Sequence, residues 1–311
     1  MIISASRRTD LPAAHASWLL KRFREGFAWV RNPMNFRQVS RVSLRPEDVD
    51  GIVFWTKNPA PMLDRLAELE AYPSYFQYTL TGYGSEIEPG LPPHGERLDT
   101  FLRLSQRLGA ERVLWRYDPI LMGGRYCAAW HERTFRKLAE QLRGSTGQVT
   151  ISFVDIYARC RARLARLDMQ PISTQEMQSL AASLSGIARE NGMEICACCE
   201  GVDLQPFGVR PARCVDARRL SAIGGFALKE ARDPNQRPHC GCAPSVDIGA
   251  YDTCPNGCVY CYATSSPAAV RTRLAQCDPD SPLLCGMLSP EDRVTERRGV
   301  SLREEQLRMQ F

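Results

Sequence analysis

Apolar positions along this chain form short runs that alternate with longer segments where they recur every three or four residues. The runs at 2–5, 51–55, 75–80, 112–116, 149–154 and 193–197 read as buried strands. Segments at 61–69, 97–108, 128–142 and 176–190 read as amphipathic helices, the last stopped by Asn191-Gly192. Trp18, Leu19, Arg22 and Phe23 share one face of an earlier helix, with Thr9 or Asp10 as its cap and Pro12 in its first turn. Residues 36–44 alternate as a small hairpin would. Residues 246–251 form one more strand, and 268–275 the helix after it.

Strands alternating with helices predict a parallel α/β architecture. Between them, residues 81–95 are rich in Gly and Pro and long enough for a lid. Residues 232–244 read as a connection. From Pro290 onward the chain is polar and reads as a partly exposed tail. The expected division is therefore a core over 1–231, a cysteine-rich segment over 232–289 that adds a strand, loop and helix to the same core, and a tail over 290–311.

Composition changes this picture little until cysteine is counted. Of 311 residues, 44% are hydrophobic and 24% charged, enough for a sizeable core with an ordinary surface. A net charge of +5 permits a phosphorylated ligand or nucleic acid without requiring either, and the lack of a Lys/Arg-rich tract does not favour nucleic acid. No apolar run is long enough to span a membrane, and residues 1–10 lack a signal-peptide core, so a cytoplasmic location is expected. Thirteen cysteines in such a chain point to metal rather than to disulfides.

The densest chemistry lies in Cys254-Pro255-Asn256-Gly257-Cys258-Val259-Tyr260-Cys261. Pro, Asn and Gly suit a tight loop. Three thiolates on such a loop can hold three irons of a 4Fe–4S cubane and leave the fourth open. Zinc is the alternative, with Cys240 or Cys242 as a fourth ligand. A second set, Cys198, Cys214, Cys240 and Cys242, offers a full shell for an auxiliary 4Fe–4S cluster, for zinc, or for neither. Cys196 and Cys199 are substitutes, while Cys127, Cys160, Cys277 and Cys285 stand alone. Among the histidines only His239 has a metal context. Polar residues recur where strands end: Arg7, Arg8, Thr56, Lys57, Asn58, Arg116, Asp118, Asp155 and Glu200. Individually each is most simply a cap or an ion-pair partner, but together they mark a rim suited to an anion.

The spacing C-x3-C-x-Tyr-C resembles the signature of the radical S-adenosylmethionine (radical SAM) superfamily, and Cys-Tyr-Cys-Tyr-Ala resembles its spore-photoproduct-lyase branch. The whole chain resembles the uncharacterised family domain of unknown function 1848. That likeness runs through Ser6-Arg7-Arg8-Thr9-Asp10, Phe54-Trp55-Thr56-Lys57-Asn58-Pro59, Arg116-Tyr117-Asp118-Pro119 and the segment 245–251. The resemblance implies a partial or complete TIM-like (β/α) barrel. It would be permuted, because the motif normally follows the first strand; strand 2–5 would then lie beside strand 246–251 and close the sheet. It also implies an enzyme in which Cys254, Cys258 and Cys261 hold the cluster. The open iron would bind S-adenosylmethionine, reductive cleavage would start radical chemistry, and Tyr260 would meet the adenine through its backbone. Arg7, Arg8, Lys57, Arg116 and Asp118 are the expected catalytic residues, with Arg7 and Arg8 also facing the cofactor. The superfamily's Gly-Gly-Glu is absent, and Ser6-Arg7-Arg8 stands in its place. An electron donor such as flavodoxin or ferredoxin and a small-molecule or nucleotide-like substrate follow from the same resemblance. The alternatives are an iron–sulfur sensor or nucleic-acid-binding protein without turnover, and a zinc-stabilised binding domain.

Overall fold

The structure is a computed structural model and describes residues 1–304. Its centre is an eight-stranded parallel sheet. In chain order the elements are β1 (Ile2–Ala5), α1 (Leu11–Ala14), α2 (Ala16–Glu25), β2 (Phe27–Asn32), β3 (Asn35–Ser43), β4 (Gly51–Thr56), a 3-10 helix (Ala60–Leu69) and β5 (Ser74–Thr79). There follow α3 (His94–Leu108), β6 (Val113–Ile120), α4 (Ala128–Leu142), β7 (Gln148–Phe153), α5 (Ala158–Ala165), α6 (Thr174–Glu190) and β8 (Glu194–Ala197). The last are β9 (Arg210–Pro211), α7 (Ala217–Gly224), β10 (Ser245–Asp247), α8 (Pro267–Leu274) and β11 (Arg293–Glu296). The large sheet runs β10-β1-β4-β5-β6-β7-β8-β9, while β11, β3 and β2 form a separate three-stranded sheet.

Local chemistry explains where several helices start and stop. The Asp10 carboxylate accepts from the Ala13 amide and caps α1, with Pro12 in the first turn as expected. Ser173 and Glu176 make a reciprocal capping box on α6. Gly26 ends α2 in the left-handed region, at φ 76°. The expected helix is two: the chain breaks at His15, leaving the Asp10 cap and Pro12 on α1 and the whole stripe of Trp18, Leu19, Arg22 and Phe23 on α2.

Side chains alternate across the sheet, and the two faces differ. Ile3, Ile52, Phe54, Phe76, Tyr78, Trp115 and Ile151 belong to the main core, which the helices cover. Trp115 stacks on Phe135 of α4 at 4.7 Å. The opposite face is apolar at its base, where Ile2, Val53, Tyr75, Leu114 and Cys196 are buried. Towards the carboxyl ends of the strands it turns polar, carrying Ser4, Trp55, Gln77, Arg116 and Asp118. Alternation requires that change to come from the sequence alone: Ile2/Ser4, Val53/Trp55, Tyr75/Gln77 and Leu114/Arg116 are pairs two residues apart.

Three expectations are revised. The sheet is open, with β10 at one edge and β9 at the other, so strand 2–5 does pair with the late strand but does not close a barrel. The segment 232–244 is more than a connection: it lies on the second face of the sheet, burying Cys242 and Ala243, and Ala243 donates to the Val215 carbonyl. Part of the polar tail is anchored. β11 pairs in parallel with β3, and the Leu302 amide donates to Asp50 Oδ2 at 2.7 Å. The rest of the expected tail, 305–311, lies outside the described residues. Among the described residues no helix is long and apolar enough to cross a membrane.

His131 shows how tightly the main core is specified. It is fully buried on α4, with Nε2 2.8 Å from the Leu121 carbonyl and Nδ1 2.8 Å from the Tyr117 hydroxyl. A carbonyl only accepts, so Nε2 carries the proton and Nδ1 accepts from the tyrosine. Burial pushes the imidazole pKa down to about 4 from 6.5. Between those values the unfolded chain takes up a proton that the folded chain refuses, so stability falls as pH drops through that window. We expect His131→Gln to flatten the pH dependence of urea stability between about pH 4 and 6.5, by about 3 kcal/mol at most. An unchanged slope would show that His131 is not held neutral.

Candidate functional site

The cysteine loop leaves the sheet directly after β10. Asp252 (φ 59°) and Gly257 (φ 66°) take left-handed conformations that turn the chain back on itself. Arg163 of α5 clamps the loop from outside. It donates from Nε to the Val259 carbonyl at 2.9 Å, from Nη1 to that of Thr264 at 3.2 Å and from Nη2 to that of Cys261 at 2.6 Å. The Gly/Pro-rich segment 81–95, expected as a lid, is instead a brace. Val259 donates to the Ile87 carbonyl, and Gly90 donates to the Asn256 carbonyl at 2.9 Å. A β-carbon on Gly90 would stand 2.6 Å from the Pro255 oxygen, so only glycine admits this approach.

Under the loop sits a buried charge network that sequence reasoning missed. Glu88, 3% exposed, receives Lys57 Nζ at 2.8 Å, Arg97 Nη1 at 3.3 Å, Thr81 Oγ1 at 3.0 Å and the Tyr260 hydroxyl. Burial opposes charge on Glu88, yet Lys57 and Arg97 hold its carboxyl below the usual range. Burial likewise opposes charge on Lys57, but Glu88 and Cys258 raise its pKa. Its backbone amide donates to Asp10 Oδ2 at 2.7 Å, and that oxygen also accepts from Asn256. Burial pushes the Cys254 thiol up to about 12 and raises that of Cys258. The only sequence signal for Glu88 was an acidic residue in a segment otherwise shaped by Gly and Pro.

The second cysteine set also assembles. Cys198 follows β8, Cys214 follows β9, and Cys240 and Cys242 lie in the segment covering the second face. Cys214 and Cys198 sulfurs are 3.3 Å apart, and Cys242 Sγ accepts from the Val215 amide at 3.3 Å. The neighbouring Cys242 thiol brings the Cys240 thiol down to about 7. Arg116 donates to Cys214 Sγ at 3.1 Å, to Gln77 at 3.3 Å and to Asp118 at 3.0 Å, while Asp118 also accepts from Ser152. Among the described residues no group of three or more His, Cys, Asp or Glu has the geometry of a single-ion site.

Arg7 and Arg8, adjacent in sequence, part company. Arg7 turns inward, 5.1 Å from the Trp55 ring, where Arg116 also lies at 5.2 Å. Burial lowers the Arg7 pKa, but Cys242, Cys214 and Asp247 outweigh it. Its Nη2 is buried without a hydrogen-bond partner. Arg8 turns outward over Tyr251 at 5.3 Å and donates to the Gly249 carbonyl. The remaining rim residues serve local structure: Thr56 Oγ1 accepts from Asn58, Asp155 pairs with Arg237, and Glu200 accepts from Phe153. His239 is exposed.

An open parallel α/β sheet with two cysteine groups at the carboxyl ends of its strands defines the class. Within it, the chain belongs to the family described as domain of unknown function (DUF1848), whose model matches residues 2–263. That span runs from β1 through Cys-Tyr-Cys-Tyr-Ala and takes in both cysteine groups. No curated protein and no solved structure matches the chain.

Removing one member of the buried network leaves charge stranded. Glu88→Ala should cost about 3–5 kcal/mol in urea unfolding, because Lys57 and Arg97 keep their charges without a partner. Adding Lys57→Met should return part of that loss. A double variant no more stable than Glu88→Ala would refute the coupling.

Proposed function

We propose that this protein is a radical SAM enzyme acting on an anionic substrate. The observation that carries the reading is the loop with Cys254, Cys258 and Cys261, held from three sides at the carboxyl end of an edge strand. In this reading the sheet is a permuted partial barrel, and β10 with its loop and α8 takes the place of the first unit. Bound to the three thiolates with one iron left open, a reduced 4Fe–4S cluster would supply one electron to S-adenosylmethionine and so begin radical chemistry.

The residues present fit such a group. Thiols kept protonated by burial must give up protons when metal binds, so loading should weaken as pH falls. Arg163 and the 81–95 brace fix the loop before any cluster arrives. Lys57 places a cation near Cys258, where thiolate charge would gather. Tyr260, tied to Glu88, is held in place beside the loop.

The second set supports an auxiliary cluster. The unpartnered Arg7 Nη2 beside Cys214 and Cys242 fits an acceptor that the protein itself does not provide. Zinc is the second reading for this set, because four thiols offer the full ligand count of a structural zinc site.

Anaerobically reconstituted protein should hold about eight irons, and the Cys240→Ala/Cys242→Ala variant about four. Four irons and one zinc in the full chain would favour the zinc reading. Changing Cys254, Cys258 and Cys261 together to Ala should abolish release of 5′-deoxyadenosine from S-adenosylmethionine under dithionite. Release that persists in this triple variant would overturn the assignment.

A further inference from the structure

A cleft of about 820 Å³ opens on the outer side of the cysteine loop. The two ends of the loop form one wall, with Tyr251 and Asp252 before the cysteines and Tyr262 immediately after Cys261. The β2–β3 hairpin, the start of α5 and helix α8 form the others. The volume lies within the range of small-molecule sites. Nothing in the iron–sulfur reading itself calls for this cavity.

Its charge is one-sided. Arg8, Arg31, Arg159 and Arg273 line it, against Asp252 alone. Asp292 holds both Nη atoms of Arg31 at 2.7 Å, so that charge is already matched. The Asp252 carboxylate is occupied by Ser265, whose hydroxyl donates at 2.8 Å. Arg8 lies 4.0 Å from Asp247, at the limit of an ion pair. Arg8 and Arg159 sit over the same ring, that of Tyr251, at 5.3 and 5.4 Å. The Tyr251 ring thereby gathers two guanidiniums, one from the end of β1 and one from α5, in one corner of the cleft.

An independent observation concerns the apolar surface. Among the described residues seven large hydrophobic side chains are exposed, and four of them, Met34, Phe36, Tyr157 and Tyr262, line this cleft. Phe36 is 60% exposed and Met34 92%. Exposed large apolar groups gathered at one cavity mark a binding surface, whereas scattered ones do not. Tyr157 and Tyr262 face each other at 5.6 Å between ring centroids.

We propose that this cleft binds a planar aromatic anion, an aryl phosphate or aromatic carboxylate, with its acid group at Arg8 and Arg159 and its ring among Tyr157, Tyr262 and Phe36. Guanidinium groups fork onto either acid, and the aromatic side chains supply flat contact area. The inference rests on the proposed radical function only in making the bound compound a substrate, since the cleft adjoins the cysteine loop through Tyr262.

Calorimetry on the anaerobically reconstituted full chain tests it with three probes: 1-naphthyl phosphate, 1-naphthol and inorganic phosphate. Naphthyl phosphate should bind at least tenfold more tightly than either of the others. Arg159→Ala, a change at an exposed position, should weaken that binding at least tenfold, and Phe36→Ala severalfold. Arg136→Ala, on the exposed side of α4, should leave it unchanged. Equal affinity for naphthol and its phosphate would overturn the proposal, as would an Arg159→Ala variant that binds like the parent. Cleavage of S-adenosylmethionine without any probe, measured on the same preparation, keeps the two readings apart. Cleavage without naphthyl phosphate binding rejects the cleft alone. Arg159-dependent binding without cleavage supports the cleft and removes the radical reading.

Discussion

Asp247 joins the last strand of the large sheet to the first. β10 has only three residues, paired with Ile2, Ile3 and Ser4 across more than two hundred positions of sequence. So short an edge strand gains little from its own ladder. The Asp247 carboxylate adds bonds from Ser4 Oγ at 3.1 Å, Ser6 Oγ at 2.6 Å, the Arg7 amide at 2.8 Å and the Gly249 amide at 3.0 Å. Hydrogen bonds to a charged acceptor contribute roughly 1.5–3 kcal/mol each, so the side chain can outweigh the ladder. Gly249 allows the close approach, since a β-carbon there would fall 2.2 Å from Ser6 Oγ. Everything at the site inherits this joint. It sets the cysteine loop beside Arg7 and Arg8, and through Asp10 beside Lys57.

The second constraint is that one face of the sheet changes character halfway along. Helices bury the first face throughout. The other is apolar near the strand starts and polar near their ends, and the segment from Ala212 to Ala243 fills it. Tyr75 and Gln77 both donate to the Cys214 carbonyl, at 2.8 and 2.9 Å, which pins that segment where apolar gives way to polar. The second cysteine set therefore lies at a boundary. Its thiols have apolar packing on one side and Arg7 and Arg116 on the other. Arginine beside buried thiols favours their charged form, and burial disfavours it.

The two cysteine groups and the cleft are linked by short pieces of chain. Arg7 lies by Cys214 and Cys242, and its carbonyl accepts from the Tyr262 hydroxyl at 2.8 Å. Tyr262 follows Cys261 and lines the cleft. Two adjacent arginines thus serve different neighbours, one the interior and one the cleft, where the chain bends over residues 7–9 just past β1.

Much of the sheet is legible in the order of residues alone. Strand 2–5 and helix 128–142 fall where the apolar runs put them, and most other core strands begin and end within a residue or two of expectation. Hydrophobic periodicity is a local property, and those elements are buried on the face it describes. The cysteine motif is legible too, since spacing within a loop is also local, whereas the cysteines of the second set stand on three separate segments that only folding brings together. Other features come only from tertiary structure. Residues 113–120 form one strand through Pro119, helices α5 and α7 have eight residues each and are shorter than the window over which periodicity is read, and β11 exists only because β3 offers it an edge. Glu88 and Arg163 are ordinary charged residues until folding carries them under and around the loop. Whether a charge is buried, and what meets it there, depends on partners tens or hundreds of residues away, which no short window of sequence contains.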